Sequence, residues 1–130
     1  IIMNPDTQQY HAAQSPADRE ICELLARRIG ELLPEAENKV WHAHPVWFLD
    51  GNPVVGYSKL KGGVRLLFWS GQSFISPGLK AIGKFQAAGF PLVSKDDAKS
   101  LETWFKEAIA IQWDYANLPK KRALDKLTNF

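Results

Sequence analysis

Hydrophobic positions along the chain follow two periodicities. From Ser15 the apolar residues Ile21, Leu24, Leu25, Ile29, Leu32 and Leu33 recur at helical spacing, which predicts an amphipathic helix ending before Pro34. "SPAD" supplies its start, with a serine N-cap, proline at the first helical position and an acid three residues after the cap. Between Val40 and Trp69 the pattern changes to the β-rich runs "VWFL", "VVGYSKL" and "VRLLFW", punctuated by "DGNP" and "KGG". Runs separated by such turn residues predict an antiparallel meander. "SGQSFISPGLKAIGK" reads as a loop with a short helical turn around Leu79 to Ile82, and "KFQAAGFPLV" as a further strand whose Pro91 suits an edge or a strand end. "SKDD" then repeats the capping pattern, and Leu101, Trp104, Phe105, Ala108, Ile109 and Trp113 give a second amphipathic helix. The expected fold class is α+β: an antiparallel sheet of about four to five strands with the N- and C-terminal helices on one face.

Turn lengths set the expected register. If Asp50 to Pro53 form a four-residue loop, Leu49 faces Val54, Trp47 faces Gly56 and His44 faces Lys59, and the glycine leaves room for the indole. If Lys61 to Gly63 form the next loop, Leu60 faces Val64, Ser58 faces Leu66 and Gly56 faces Phe68. One face then gathers Trp47, Leu49, Val54, Leu60, Val64, Leu66 and Phe68 beneath the helices. The other gathers His44, Val46, Phe48, Val55, Tyr57, Lys59, Arg65, Leu67 and Trp69, a mixed apolar and basic surface. This register sets Lys59 opposite Arg65, and like charges so placed repel. Either an anion or an acidic side chain lies between them, or the connection is the two-residue Gly62-Gly63 type and the pairing shifts.

The opening "NPDTQQYHAAQ" is polar and aperiodic, so residues 1–14 read as a flexible arm, 15–118 as one α+β domain and 119–130 as a basic tail able to form a short helix. The leading Ile1 and Ile2 read as upstream of an initiator at Met3. With 130 residues, 45% hydrophobic and 23% charged, the chain can bury a single core. A net charge of +2 is too small to imply nucleic acid but permits an anionic partner. Cys22 is the only cysteine, which excludes an intrachain disulfide and a cysteine-based zinc knuckle; beside the apolar stripe of the first helix it should be buried and inert. That helix carries Glu23, Arg27 and Glu31 four residues apart, the spacing of solvated ion pairs. No secretory pattern and no bilayer-length apolar run is present, so the chain reads as cytoplasmic with no membrane partner.

No P-loop, dinucleotide glycine pattern, nucleophile elbow or zincin helix occurs. The stretch "KVWHAHPVWF" places two histidines one residue apart. On a strand, His42 and His44 would share a face and grip a metal ion, with a third ligand from Glu35, Glu37 or Asp50. Alternatively His44, just before Pro45, hydrogen-bonds at a strand start. Trp41, Trp47, Trp69 and Tyr57 serve as packing or line a pocket.

The run "PEAENKVWHAHPVWFLDGNPVVGYSKLKGGVRLLFWSG", with "GKF" and the strand and helix after it, resembles the YdhG-like family of small domains of unknown function. The likeness covers about residues 15 to 115 and is most specific in "HPVWFLDGNPVVGYSKLK" and "LLFWSG". It implies an α+β domain with an antiparallel sheet and both terminal helices on one face. Some members are labelled frataxin-like iron chaperones, which would imply iron as the cofactor or cargo. The alternating Glu and Arg of the first helix differ from the acidic ridge that frataxin-type binding uses, so no iron residue is carried over. The function expected is therefore a non-enzymatic binding domain for a small molecule or anion that meets His44, Tyr57, Lys59, Arg65 and Trp69. The alternatives are an iron chaperone using carboxylates with His42 and His44, and an enzyme with dispersed catalytic residues.

Overall fold

Asn4 and Ser15 each cap a helix that begins on a proline, because their side-chain oxygens accept the otherwise unpaired amides of Asp6 and Asp18. The computed structural model describes residues 4–60, 63–75, 78–83, 85–92, 102–118, 124, 126 and 127. The first capped helix, α1 (Pro5–Ala12), replaces the flexible arm expected for residues 1–14. Its apolar periodicity is negligible, so the sequence pattern is silent; what holds it is polar. Thr7 and His11 are buried: Thr7 donates to Asn38 Oδ1 at 2.8 Å, and His11 Nε2 shares a hydrogen bond with Tyr57 Oη at 2.5 Å.

The second helix, α2 (Pro16–Leu32), buries the expected stripe through Ile21, Cys22, Leu25, Ala26 and Ile29. Its solvent side pairs Arg19 with Glu23 at 3.5 Å and Arg27 with Glu31 at 3.9 Å. Burial pushes the Cys22 thiol up to about 12, so it packs as a small apolar group. A third helix, α3 (Glu102–Ala110), adds Phe105 and Ala108 to the same core. Of the expected second amphipathic helix, the "SKDD" start and Leu101 lie outside the described residues. Trp113 lies beyond the helix end, bridged to Lys126. The expected basic tail helix is likewise not seen at the tail residues described, since Lys126 joins that bridge and the Leu127 amide donates to Gln112.

Six antiparallel strands form one sheet: β1 (Glu37–Trp41), β2 (His44–Leu49), β3 (Asn52–Leu60), β4 (Gly63–Phe68), β5 (Lys80–Ala81) and β6 (Ala88–Leu92), in the order β1-β2-β3-β4-β6-β5. Two features exceed the expected meander. The polar segment before Trp41 forms β1, and β5 stands where a helical turn around Leu79 to Ile82 was expected. Pro91 fits its place: β5 pairs only with Ala88 and Gly89, so the proline's missing amide leaves no gap in that ladder.

Both front hairpins are tighter than expected. Asp50 and Gly51, with φ of 51° and 78°, form a two-residue turn of the mirror-image type that Asp-Gly favours, and Leu49 pairs with Asn52. A bulge between Trp47 and Phe48 then sets Trp47 opposite Val55 and Val46 opposite Gly56. In the next hairpin Leu60 pairs with Gly63, Lys59 with Val64 and Ser58 with Arg65. The β3–β4 pairing is one residue out of the expected register, and the β2–β3 pairing is two out beside its turn and one out past the bulge, which turns β3 over from Val55 onward while β2 and β4 keep their faces and Val54, at the bulge, stays under the helices. The helices cover Trp47, Val55, Tyr57, Val64, Leu66 and Phe68. Leu60, expected in this core, is largely exposed.

The β1–β2 turn is made by His42 and Ala43, with φ of 53° and 68°. A left-handed backbone strains any residue with a Cβ, and alanine has no polar side chain to offset the strain. Ala43→Gly should raise unfolding free energy by about 0.5–1 kcal/mol in a urea titration; a loss would show that the turn is not strained.

Burial lowers the pKa of His11 from its ordinary value of 6.5. Above that value the ring is neutral in both states and its full contribution is present. As pH falls, the unfolded chain takes up a proton that the folded chain resists, so stability drains until the lower folded pKa is passed. The urea midpoint should therefore drop as pH is lowered through about 6.5. Above that pH Tyr57→Phe, which leaves the His11 nitrogen buried and unpaired, should cost about 1–3 kcal/mol.

Candidate functional site

Among the described residues the helices occupy one side of the sheet, and the other side is covered by its own side chains and one returning segment. Alternation along the observed register places Lys39 and Trp41 of β1, His44, Val46 and Phe48 of β2, Gly56 and Ser58 of β3, and Arg65 and Leu67 of β4 on this face. A second cluster forms there from Val46, Phe48 and Trp69, with Trp41, Leu67 and Tyr115 packed against it. Trp69, just past β4, lies over Gly56: a Cβ at that glycine would sit 3.3 Å from the indole and 2.5 Å from the Pro45 carbonyl oxygen. The glycine does serve an indole, as the sequence suggests, but that of Trp69 and not of Trp47, which lies under the helices against Tyr57.

The aromatic rings continue toward the β1–β2 turn. Trp41 packs against Trp69 and Phe48 with ring centres 6.0 and 5.6 Å apart, and His44 stacks on Trp69 at 6.1 Å. Lys39 Nζ sits 5.3 Å from the Phe48 ring centre, a cation–π contact at the margin. Tyr115 arrives from the C-terminal segment, which buried Asn52 holds in place. Asn52 Nδ2 donates to the Trp113 carbonyl at 2.9 Å, and Asn52 Oδ1 accepts from the Tyr115 amide at 2.9 Å and the Ala116 amide at 3.1 Å.

Two polar atoms on this face are buried without a hydrogen-bond partner among the described residues: His44 Nε2 and Arg65 Nε. Such atoms are uncommon in native folds and ask for an explanation. The imidazole is fixed in one sense. Its Nδ1 lies 3.1 Å from the His42 carbonyl oxygen, which can only accept, so Nδ1 carries the proton and Nε2 presents a lone pair. Burial lowers the His44 pKa; the hydrogen bond to the His42 carbonyl works against it, and nearby charge that includes Arg65 adds to the lowering. Arg65 runs its stem across Gly89 of β6, where a Cβ would approach its Cδ to 3.2 Å. His44 and Arg65 thus stand on the strands to either side of β3, an acceptor on one and a donor on the other, with Ser58 paired to Arg65.

Of the five residues expected to meet a ligand, His44, Arg65 and Trp69 share this face, whereas Tyr57 and Lys59 do not. The turned-over β3 sends Tyr57 into the helical core, and Lys59 Nζ to the Asp18 carboxylate of α2 at 2.7 Å. That bond to Lys59, with one from Ser15, holds the Asp18 carboxyl below its usual range. The expected clash between Lys59 and Arg65 never arises. Nor do His42 and His44 share a strand face. His42 occupies the turn, exposed, with its ring against Trp41 at 4.2 Å, and only His44 stands on β2. Among the described residues no three His, Cys, Asp or Glu side chains group so as to hold a metal ion. Ser58, Gly89 and Tyr115 went unnoticed in the sequence; only the register and the Asn52 anchor bring them here.

The comparison with solved structures finds a DUF1801-family protein, YdhG from Bacillus subtilis, at a TM-score of 0.56 over 92% of this chain and 94% of that one, with 16% identity. The chain has a YdhG-like fold. No family model matches it, and no curated protein matches it. At this identity the likeness to YdhG extends to the fold alone, so the site rests on this chain's own side chains. Among the described residues no helix is long and apolar enough to cross a membrane.

Two hollows lie elsewhere on the YdhG-like fold, one of about 600 Å³ between α1, α2 and β1 over Trp47, the other of about 460 Å³ beside Pro34, Asn52 and Asp114. Neither is lined by His44, Arg65, His11, Tyr57 or Cys22.

A buried donor without a partner costs stability that an apolar side chain of similar length does not. Arg65→Met should therefore match or exceed the wild type in thermal unfolding, by up to about 1 kcal/mol. A marked loss would mean that the guanidinium has a structural partner.

Proposed function

We propose that this protein is a small binding domain whose working surface is the helix-free face of the sheet, and that its ligand is a small molecule bearing an oxyanion. The observation that carries this reading is the pair of buried, unpartnered polar atoms, His44 Nε2 and Arg65 Nε, on a face otherwise built of aromatic rings. A fold that buries a guanidinium donor without a partner forgoes stability, which is common where a residue is kept for binding. Arginine is suited to the task because its planar donors match carboxylate and phosphate oxygens. Trp41 and Trp69 supply apolar walls that exclude water and strengthen the polar contacts. The strained His42–Ala43 turn adds support, because it holds the His42 carbonyl where it orients His44.

The reading is checked by titrating isotope-labelled protein with acetate, phosphate and sulfate in turn while following backbone amides and indole NH groups. Saturable shifts confined to residues 41–46, 56–58 and 65–69, and absent in Arg65→Met, are expected for at least one of the three. Shifts that never saturate, or that persist in the variant, would remove the face from consideration.

A further inference from the structure

The hydrogen-bonding sense of His44 narrows the ligand further, on the reading that the helix-free face is the binding surface. A fully ionised carboxylate or sulfate offers acceptors only. It satisfies Arg65 Nε, yet it brings a second lone pair against His44 Nε2, whose proton is on the other nitrogen because the His42 carbonyl accepts from Nδ1 at 3.1 Å. The complement of this site must donate at one end and accept at the other. Phosphate differs from sulfate in this respect: its second ionisation, with a pKa of about 6 in esters, leaves a fraction with one hydroxyl beside ionised oxygens near neutrality.

Geometry agrees with a group of that size. Ser58 pairs with Arg65, and His44 lies one strand further out, so the two side chains spring from strands about 10 Å apart. A tetrahedral group with a hydrogen bond at each end spans about 8 Å, and the arginine stem supplies the remaining reach. The serine hydroxyl on the intervening strand is a third polar group for the remaining oxygens. Trp69, stacked on His44, closes one side and keeps the imidazole from turning.

We infer that the group held between His44 and Arg65 is a monoprotonated phosphate, donating its proton to His44 Nε2 and accepting from Arg65 Nε. The same chemistry is offered by the free ion and by a small phosphomonoester.

The experiment compares inorganic phosphate, sulfate and phenyl phosphate on the full chain at about pH 6.5, by amide-resolved titration. Phosphate should saturate at residues 41–46, 56–58 and 65–69, with sulfate at least about tenfold weaker. In His44→Gln the side-chain amide can present either a donor or an acceptor, so the preference should shrink toward parity while the spectrum stays that of a folded protein. Tighter binding of phenyl phosphate than of the free ion would assign the group to an ester, and weaker binding to the free ion; both support the proposal. Equal binding of sulfate and phosphate by the wild type would overturn the proton assignment and leave the binding face standing. No saturable response to any of the three would overturn both.

Discussion

The register of β3 against its neighbours is the constraint on which the rest of this molecule depends. Asp50 and Gly51 adopt the left-handed backbone that a two-residue hairpin requires, and the bulge at Trp47 and Phe48 adds one residue to the count. Because side chains alternate along a strand, that single residue decides the face of the β3 side chains from Val55 onward. Tyr57 goes inward, where His11 meets it and docks α1 on the sheet; Lys59 follows it and meets Asp18 of α2. Gly56 and Ser58 go outward, and the absence of a side chain at Gly56 lets Trp69 lie flat over the strand.

The two faces are consequently different in kind. Under the helices, polar groups are paired as they are buried: Tyr57 with His11, and Thr7 with Asn38. This is the economy expected of a stable core. On the helix-free side, aromatic rings are packed as tightly, with Trp69 and Phe48 nearly buried, but the two polar atoms among them are left without partners. The contrast within one domain is what makes that face a candidate for binding. The orientation of His44 by a backbone carbonyl gives the candidate a chemical direction.

A larger part of the architecture was legible than of the site. The helix over α2, the strands β2, β3, β4 and β6 and the α+β class follow from periodicity, capping and turn residues, which act over neighbouring residues. His44, Arg65 and Trp69 share one face, as the sequence suggests, because the shifts in the two hairpins cancel between β2 and β4. Tyr57 and Lys59 were misplaced because they stand on the strand between those shifts. α1 escaped notice for another reason: a helix held by Thr7, His11 and a cap carries no hydrophobic period to detect.

By itself, then, the order of residues determined the helix over α2 and the strands β2, β3, β4 and β6, since those choices rest on local periodicity, capping and turn chemistry. It also determined that the chain offers aromatic and basic side chains from the same few strands. Which of those side chains meet was decided only by tertiary structure, because facing depends on turn lengths and a bulge that sum over several elements. The same holds for the partnerless atoms of His44 and Arg65: whether a polar group is satisfied depends on everything packed around it, and no single stretch of sequence contains that information.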